Sequence, residues 1–229
     1  MTEQPPLGRT SGERLFIRNH EGVREVRSWR FYVVWRETAL VQYNSVWDDL
    51  ILQQKDDFYF HGRHKRPSLD NVNALLSFAY TLLSNDMKSA LEAVGLDAYV
   101  GFLHRDRPGR ASLALDVMEE LRGVYADRFV LTLINKKLIH GKGFYKKENG
   151  AVMMDDDTRK IVLKAWQERK QEKMIHPYLN EKMSWGLVPY SQALLLARYI
   201  RGDLDEFLGT GCDGRASRSI CRPFCPYID

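Results

Sequence analysis

His104 and two acids further along, Asp116 and Glu119, are the residues of this 229-residue chain best placed to do chemistry. On a helix, residues three apart share a face, so Asp116 and Glu119 point the same way. Glu120 lies close to that face and Asp127 further along it. Acids crowded on one stripe repel each other unless a cation or basic groups compensate. One imidazole beside two carboxylates suits Mg²⁺ or Mn²⁺. Such a metal can polarise a phosphoryl oxygen and activate a water or a 3′-hydroxyl. Arg105, Arg107 and Arg110 cluster beside the acids, and phosphate-binding arginines next to a carboxylate metal site are what phosphodiester chemistry needs. The same spacing also fits a solvated acidic face paired with Arg122 and Arg128, with His104 structural and Pro108-Gly109 an ordinary turn. Spacing alone leaves both readings open.

The elements that must carry these groups are mostly helical. Residues 15–35 alternate apolar and charged positions (Leu15, Ile17, Val23, Val26, Trp29, Phe31, Val33) and predict a short hairpin or strand pair around His20-Glu21-Gly22. From about Thr38 the period is helical. Val46, Trp47, Leu50 and Ile51 predict one buried face. A basic loop with Arg63, His64, Lys65 and Arg66 leads to Pro67 and Ser68. These open a second helix that buries Val72, Leu75, Leu76, Ala79, Leu82 and Leu83. A third candidate spans about 87–95 and stops at Gly95. The longest helix runs from Ser112 to about Lys137 on a stripe of Leu115, Met118, Leu121, Tyr125, Val130 and Ile134. Asn149-Gly150 predicts a tight type I′ hairpin turn between 138 and 154. Asp157 or Thr158 caps a helix over about 158–173, and a last helix covers roughly 187–206.

Composition adds bounds. A net charge of +4 permits nucleic-acid binding without demanding it. No run of about 18 apolar residues occurs, and Glu3 with two prolines near the start does not read as a signal peptide, so a cytoplasmic protein without a membrane span is expected. The three cysteines, Cys212, Cys221 and Cys225, form neither a disulfide framework nor a zinc spacing. His61, His64, His140 and His176 are scattered and read as surface or loop residues.

Several motifs occur in order. Gly101-Phe-Leu-His104 is followed by Arg107-Pro-Gly-Arg110 and Leu113-Ala-Leu-Asp116-Val-Met-Glu119-Glu120. Upstream stands Arg66-Pro-Ser-Leu-Asp70-Asn-Val-Asn73-Ala-Leu-Leu-Ser-Phe78, preceded by Leu50-Ile-Leu-Gln-Gln-Lys55; downstream, Trp185-Gly-Leu-Val-Pro-Tyr-Ser-Gln192. Over about Tyr43 to Glu206 the chain resembles the CRISPR-associated integrase family, with a likeness to its subtype I-C branch. The resemblance implies a mainly α fold, with a short β-hairpin and an N-terminal strand segment. It divides the chain into a divergent segment 1–37, a helical integrase and nuclease domain 38–206, and a divergent, disordered tail 207–229.

The resemblance also implies metal-dependent DNA cleavage, and transesterification that joins a prespacer 3′-hydroxyl to the CRISPR repeat. It implies a homodimer bound to the small Cas-two protein. It makes His104 and Glu119 ligands of Mg²⁺ or Mn²⁺, with Asp116 supporting. Glu37 falls at the first ligand if one residue is skipped, whereas an ungapped count lands on Arg36. Arg63, Lys65, Arg66, Asn73, Arg107 and Arg110 are the expected DNA contacts. The family's N-terminal β-rich domain has no room upstream of residue 36, and the likeness stops abruptly at both ends, as a shifted frame or a truncated gene would make it. The alternative is a catalytically inactive DNA-binding relative that keeps the scaffold alone.

Overall fold

The computed structural model describes residues 43, 45–64, 66–104 and 107–204, together with the backbone of two strands at 15–19 and 22–26. The chain divides into two units, Met1–Tyr43 and Asn44–Asp229. In the first, β1 (Leu15–Asn19) pairs antiparallel with β2 (Gly22–Val26), in the register Leu15 to Val26 and Asn19 to Gly22. This is the hairpin that the alternation predicts.

The second unit is built around α1 (Asn71–Ala93), which packs against α2 (Ser112–Leu121), α3 (Arg128–Asn135) and α5 (Val188–Ile200). Its buried face includes Val72, Leu75, Leu76, Ala79, Leu83, Met87 and Leu91. The helix starts later than Pro67-Ser68 suggests, because Asp70 is the cap and its carboxylate accepts the Asn73 N–H at 2.7 Å. The separate helix expected at 87–95 is its continuation. The polar run Ser84-Asn85-Asp86 reads as a break, yet Asp86 has distant partners: it accepts from Trp166 Nε1 at 3.1 Å and from Lys170 Nζ at 2.6 Å. The helix stops where Gly95 takes φ +81°, a left-handed C-terminal cap.

The long helix expected over 112–137 is three pieces. Between α2 and α3 lies a π-helical segment, Arg122–Asp127. The segment around Val46 is only a brief helical turn that passes into a 3-10 turn, Asp48–Leu50. Trp47 and Ile51 are buried, but Val46 and Leu50 face solvent. This stretch is fastened to the end of α3 by side-chain amides. Asn135 accepts from the Leu52 N–H at 2.8 Å and donates to the Leu50 carbonyl at 3.0 Å. Gln54 Nε2 donates to the Ile134 and Ile139 carbonyls at 3.0 and 3.1 Å.

β3 (Phe144–Lys146) and β4 (Val152–Met154) form the second hairpin. Its loop is not the tight type I′ turn expected. Lys147 still pairs with Ala151, Gly150 N–H bonds the Lys147 carbonyl, and only Gly150 has positive φ. A three-residue loop of that kind needs one left-handed residue rather than two. α4 (Asp156–Gln171) starts at a cap on Asp155, not Asp157 or Thr158, since Asp155 accepts the Thr158 N–H at 2.7 Å.

A third hairpin, β5 (Lys173–Ile175) with β6 (Lys182–Ser184), precedes α5, where the sequence suggested none. His176, expected at the surface or in a loop, lies in the hairpin's loop and is wholly buried there, with Nδ1 accepting the Leu179 N–H at 3.2 Å. No helix among the described residues is long and apolar enough to cross a membrane.

Candidate metal centre

The site begins with a loop folded around one carboxylate. Asp116, on α2, has no solvent exposure. Its Oδ2 accepts the N–H groups of Phe102 and Leu103 at 2.7 and 2.9 Å, and its Oδ1 accepts that of His104 at 3.0 Å. Oδ1 also meets His104 Nδ1 at 2.5 Å. An ionised carboxylate only accepts, so Nδ1 carries the proton and Nε2 is the ring nitrogen that Asp116 leaves for another partner. Asp116 is therefore spent on orienting His104. This is a supporting place beside the expected ligands His104 and Glu119.

Gly101 makes the wrap possible. A Cβ there would meet Ser112 Cβ at 2.5 Å and Asp116 Oδ2 at 2.9 Å.

One helical turn after Asp116, Glu119 shares its face, with a side chain 17% exposed beside a His104 that is 15% exposed. Both Glu119 oxygens accept from Arg122 Nη1, at 3.0 and 2.8 Å. That is the acid–arginine pair of the plainer sequence reading, found at one of its two predicted arginines. The Arg122 guanidinium lies over the Tyr80 ring, 4.5 Å from its centroid, and Arg63 lies over the same ring at 5.3 Å. Tyr80 donates its hydroxyl hydrogen to Asp127 at 2.5 Å.

Burial opposes both guanidinium charges. It prevails at Arg63, whose pKa is lowered. At Arg122 it is outweighed by Glu119 first, then Tyr80 and Asp127, and the pKa is raised. Burial, and then the Asp127 charge, push the Tyr80 phenol up, so it stays a neutral donor.

The predicted DNA contacts divide. Asn73 is fully buried. It accepts from Arg63 Nη1 at 2.6 Å and the His64 N–H at 3.0 Å, and donates to the Gly62 carbonyl at 2.9 Å and to Asp70 at 2.7 Å. Arg63 also donates to the His64 carbonyl and to Ser77 Oγ. Both brace the basic loop with these bonds; Asn73 is closed off from solvent and Arg63 is half-buried. Arg66 and Arg107 are exposed and Arg110 partly so. Lys65 lies outside the described residues, as do Arg105, Glu37 and the cysteine-bearing tail.

Sequence reasoning missed Asp70, Tyr80 and Gly101. Asp70, three residues before Asn73, carries a capping signal; nothing in the sequence singles out Tyr80.

The donors present fit a small divalent cation: an imidazole fixed by a carboxylate, and a second carboxylate on the next helix. Among the described residues no group of three His, Cys, Asp or Glu side chains comes together to hold a metal.

Residues 35–168, more than half of the chain, match the family described as CRISPR associated protein Cas1. The CRISPR-associated endonuclease Cas1 2 of Rhodospirillum rubrum is 56% identical over 165 residues, which cover 72% of this chain and 48% of that protein. The chain spans about half the length of that relative and of the CRISPR-associated endonuclease Cas1 1 of Chlorobaculum tepidum, to which it is 56% identical over 74% of its own length. Among solved structures, a casposase bound to integration product superimposes with a TM-score of 0.71 at 24% identity, over 80% of this chain and 50% of that one. A partial Cas6-RT-Cas1–Cas2 complex gives a TM-score of 0.65 at 21% identity, over 78% and 52%. At those identities the likeness speaks for the fold alone. The fold is thus the helical domain of the Cas1 and casposase integrase type. With the family match over residues 35–168, the chain belongs to the CRISPR-associated Cas1 family.

Proposed function

We propose that this chain works as the helical catalytic domain of a DNA integrase and endonuclease in CRISPR spacer acquisition. The observation that carries the reading is His104 held through Nδ1 by buried Asp116, which stands one helical turn before Glu119. When bound, Mg²⁺ or Mn²⁺ would polarise a phosphoryl oxygen and make the attacking hydroxyl or water more acidic. His104 and Glu119 would hold that ion, with Glu37 as the third ligand.

In the reaction, the prespacer 3′-oxygen forms a new P–O bond to a repeat phosphate while that phosphate's P–O3′ bond breaks, so the phosphate stays on the downstream 5′-oxygen and the upstream strand leaves with a 3′-hydroxyl. The attacking hydroxyl loses its proton and the departing oxygen gains one. Water in place of the 3′-hydroxyl gives simple cleavage. Arg66, Arg107 and Arg110, with Lys65, would grip phosphates on the flanking strand. We further assign prespacer and repeat DNA as substrates, and place the protein in the cytoplasm as a homodimer joined to Cas2. The family membership, and neighbours solved with Cas2 and with an integration product, support these assignments.

The test is nicking and integration of a labelled duplex in Mg²⁺ or Mn²⁺, with His104→Ala alongside. Metal-dependent activity that falls at least about a hundredfold in the variant supports the reading. A folded wild-type chain that binds DNA without cutting or joining it would mark the inactive relative instead.

A further inference from the structure

Arg122 Nη1 donates to both oxygens of Glu119, so one cation already occupies the edge of that carboxylate. A divalent ion that takes Glu119 must share this edge with the guanidinium or displace it. Displacement does not strand the Arg122 charge. The guanidinium rests on the Tyr80 ring, and the Asp127 carboxylate, held by the Tyr80 hydroxyl, acts on it through space. Arg122 is also the first residue of the π-helical segment Arg122–Asp127. Such turns are rare in helices and concentrate at functional positions. This one brings the donor to Glu119 and the Asp127 carboxylate into one short stretch.

We infer that Arg122 competes with the divalent cation for Glu119, so that the metal affinity of the site is set by the release of this guanidinium. Arg122 acts through Glu119 and is a positioning residue. The inference rests on the reading of His104 and Glu119 as metal ligands. A positive charge so close to a bound cation, in a partly buried setting, lowers its affinity on the order of tenfold.

The experiment is a Mn²⁺ titration of the full chain, with free ion followed by electron paramagnetic resonance, on wild type, Arg122→Gln, Arg122→Lys and His104→Ala. Competition predicts that Arg122→Gln binds Mn²⁺ roughly tenfold tighter, and that Arg122→Lys stays within about threefold of wild type. Equal or weaker binding by a folded Arg122→Gln would show that the arginine organises Glu119 for the metal, and would overturn the inference.

Should that variant not fold, the wild type still decides. The ¹⁵N resonance of Arg122 Nε must shift on saturation with Mg²⁺, and a stationary signal beside proven binding refutes competition. The metal-site reading fails separately: Mn²⁺ bound equally by wild type and His104→Ala, or by neither, removes it and the inference with it.

Discussion

At Asp116 an acceptor-only group with no exposure receives three backbone N–H groups and one imidazole N–H. Replacing it with asparagine turns one acceptor into a donor that faces other donors. Buried polar groups left unmatched cost about 1–3 kcal/mol each, more where a charge was involved. We expect Asp116→Asn to lose about 3 kcal/mol in urea unfolding. If a metal binds at His104, its affinity should fall by about 10–100-fold, because the imidazole loses the partner that fixes its tautomer. An unchanged unfolding midpoint would contradict this account of the loop. Types and spacing make His104, Asp116 and Glu119 candidates, and the family resemblance is what groups them against a solvated acidic face; the sequence carries that much. It does not show which acid faces outward: i,i+3 spacing puts both on one face, and the difference comes from the loop folding over one of them. That loop depends on Gly101, whose need is visible only once Ser112 lies 2.5 Å from its missing Cβ.

Helices were legible where the apolar stripe was regular, as in α5 and the first half of α1, while the ends of helices and the continuation of α1 past residue 86 were not. The stripe Leu121, Tyr125, Val130, Ile134 steps by four, five and four, and all four side chains are buried. The step of five is the π-helical segment in the sequence, readable once the structure shows that a single extra residue has been accommodated there. The third hairpin was missed because its strands are only three residues long and its loop, unlike that of the second, carries no Asn-Gly signal. Its loop also gives a test at this scale. Burial of His176 holds its pKa below the ordinary 6.5, so the folded form resists protonation. As pH falls below about 6.5 the unfolded chain takes up a proton that the folded chain does not, and stability declines until the folded pKa is reached. Above about pH 6.5 this contribution is complete. Urea unfolding at pH 7.5 and 5.5 should therefore show a loss in wild type that is smaller in His176→Gln; equal losses in both would place the titration elsewhere.

For the molecule as a whole, a small positive net charge is spread over many ion pairs, and binding to DNA must come from where cations remain at the surface. Arg63 is turned inward, while Arg66 and Arg107 are exposed. Single alanine substitutions at Arg66 and Arg107 should each weaken duplex binding about equally across sequences. Each should also reduce the slope of log affinity against log salt by about one. A slope unchanged by both would move the DNA path to another face. The amide clasp of Asn135 and Gln54 on residues 50–54 has a mechanical consequence. It lies a few residues after the boundary between the two units at Tyr43 and Asn44, and ties that stretch to the end of a helix about 80 positions later. A pull transmitted along the chain from the N-terminal unit therefore reaches these four bonds early, before it reaches α1. Since they join distant points of the chain, they bear the strain together and must part together. The clasp is a stress relief that keeps tension on the first unit from reaching the helix that braces the basic loop.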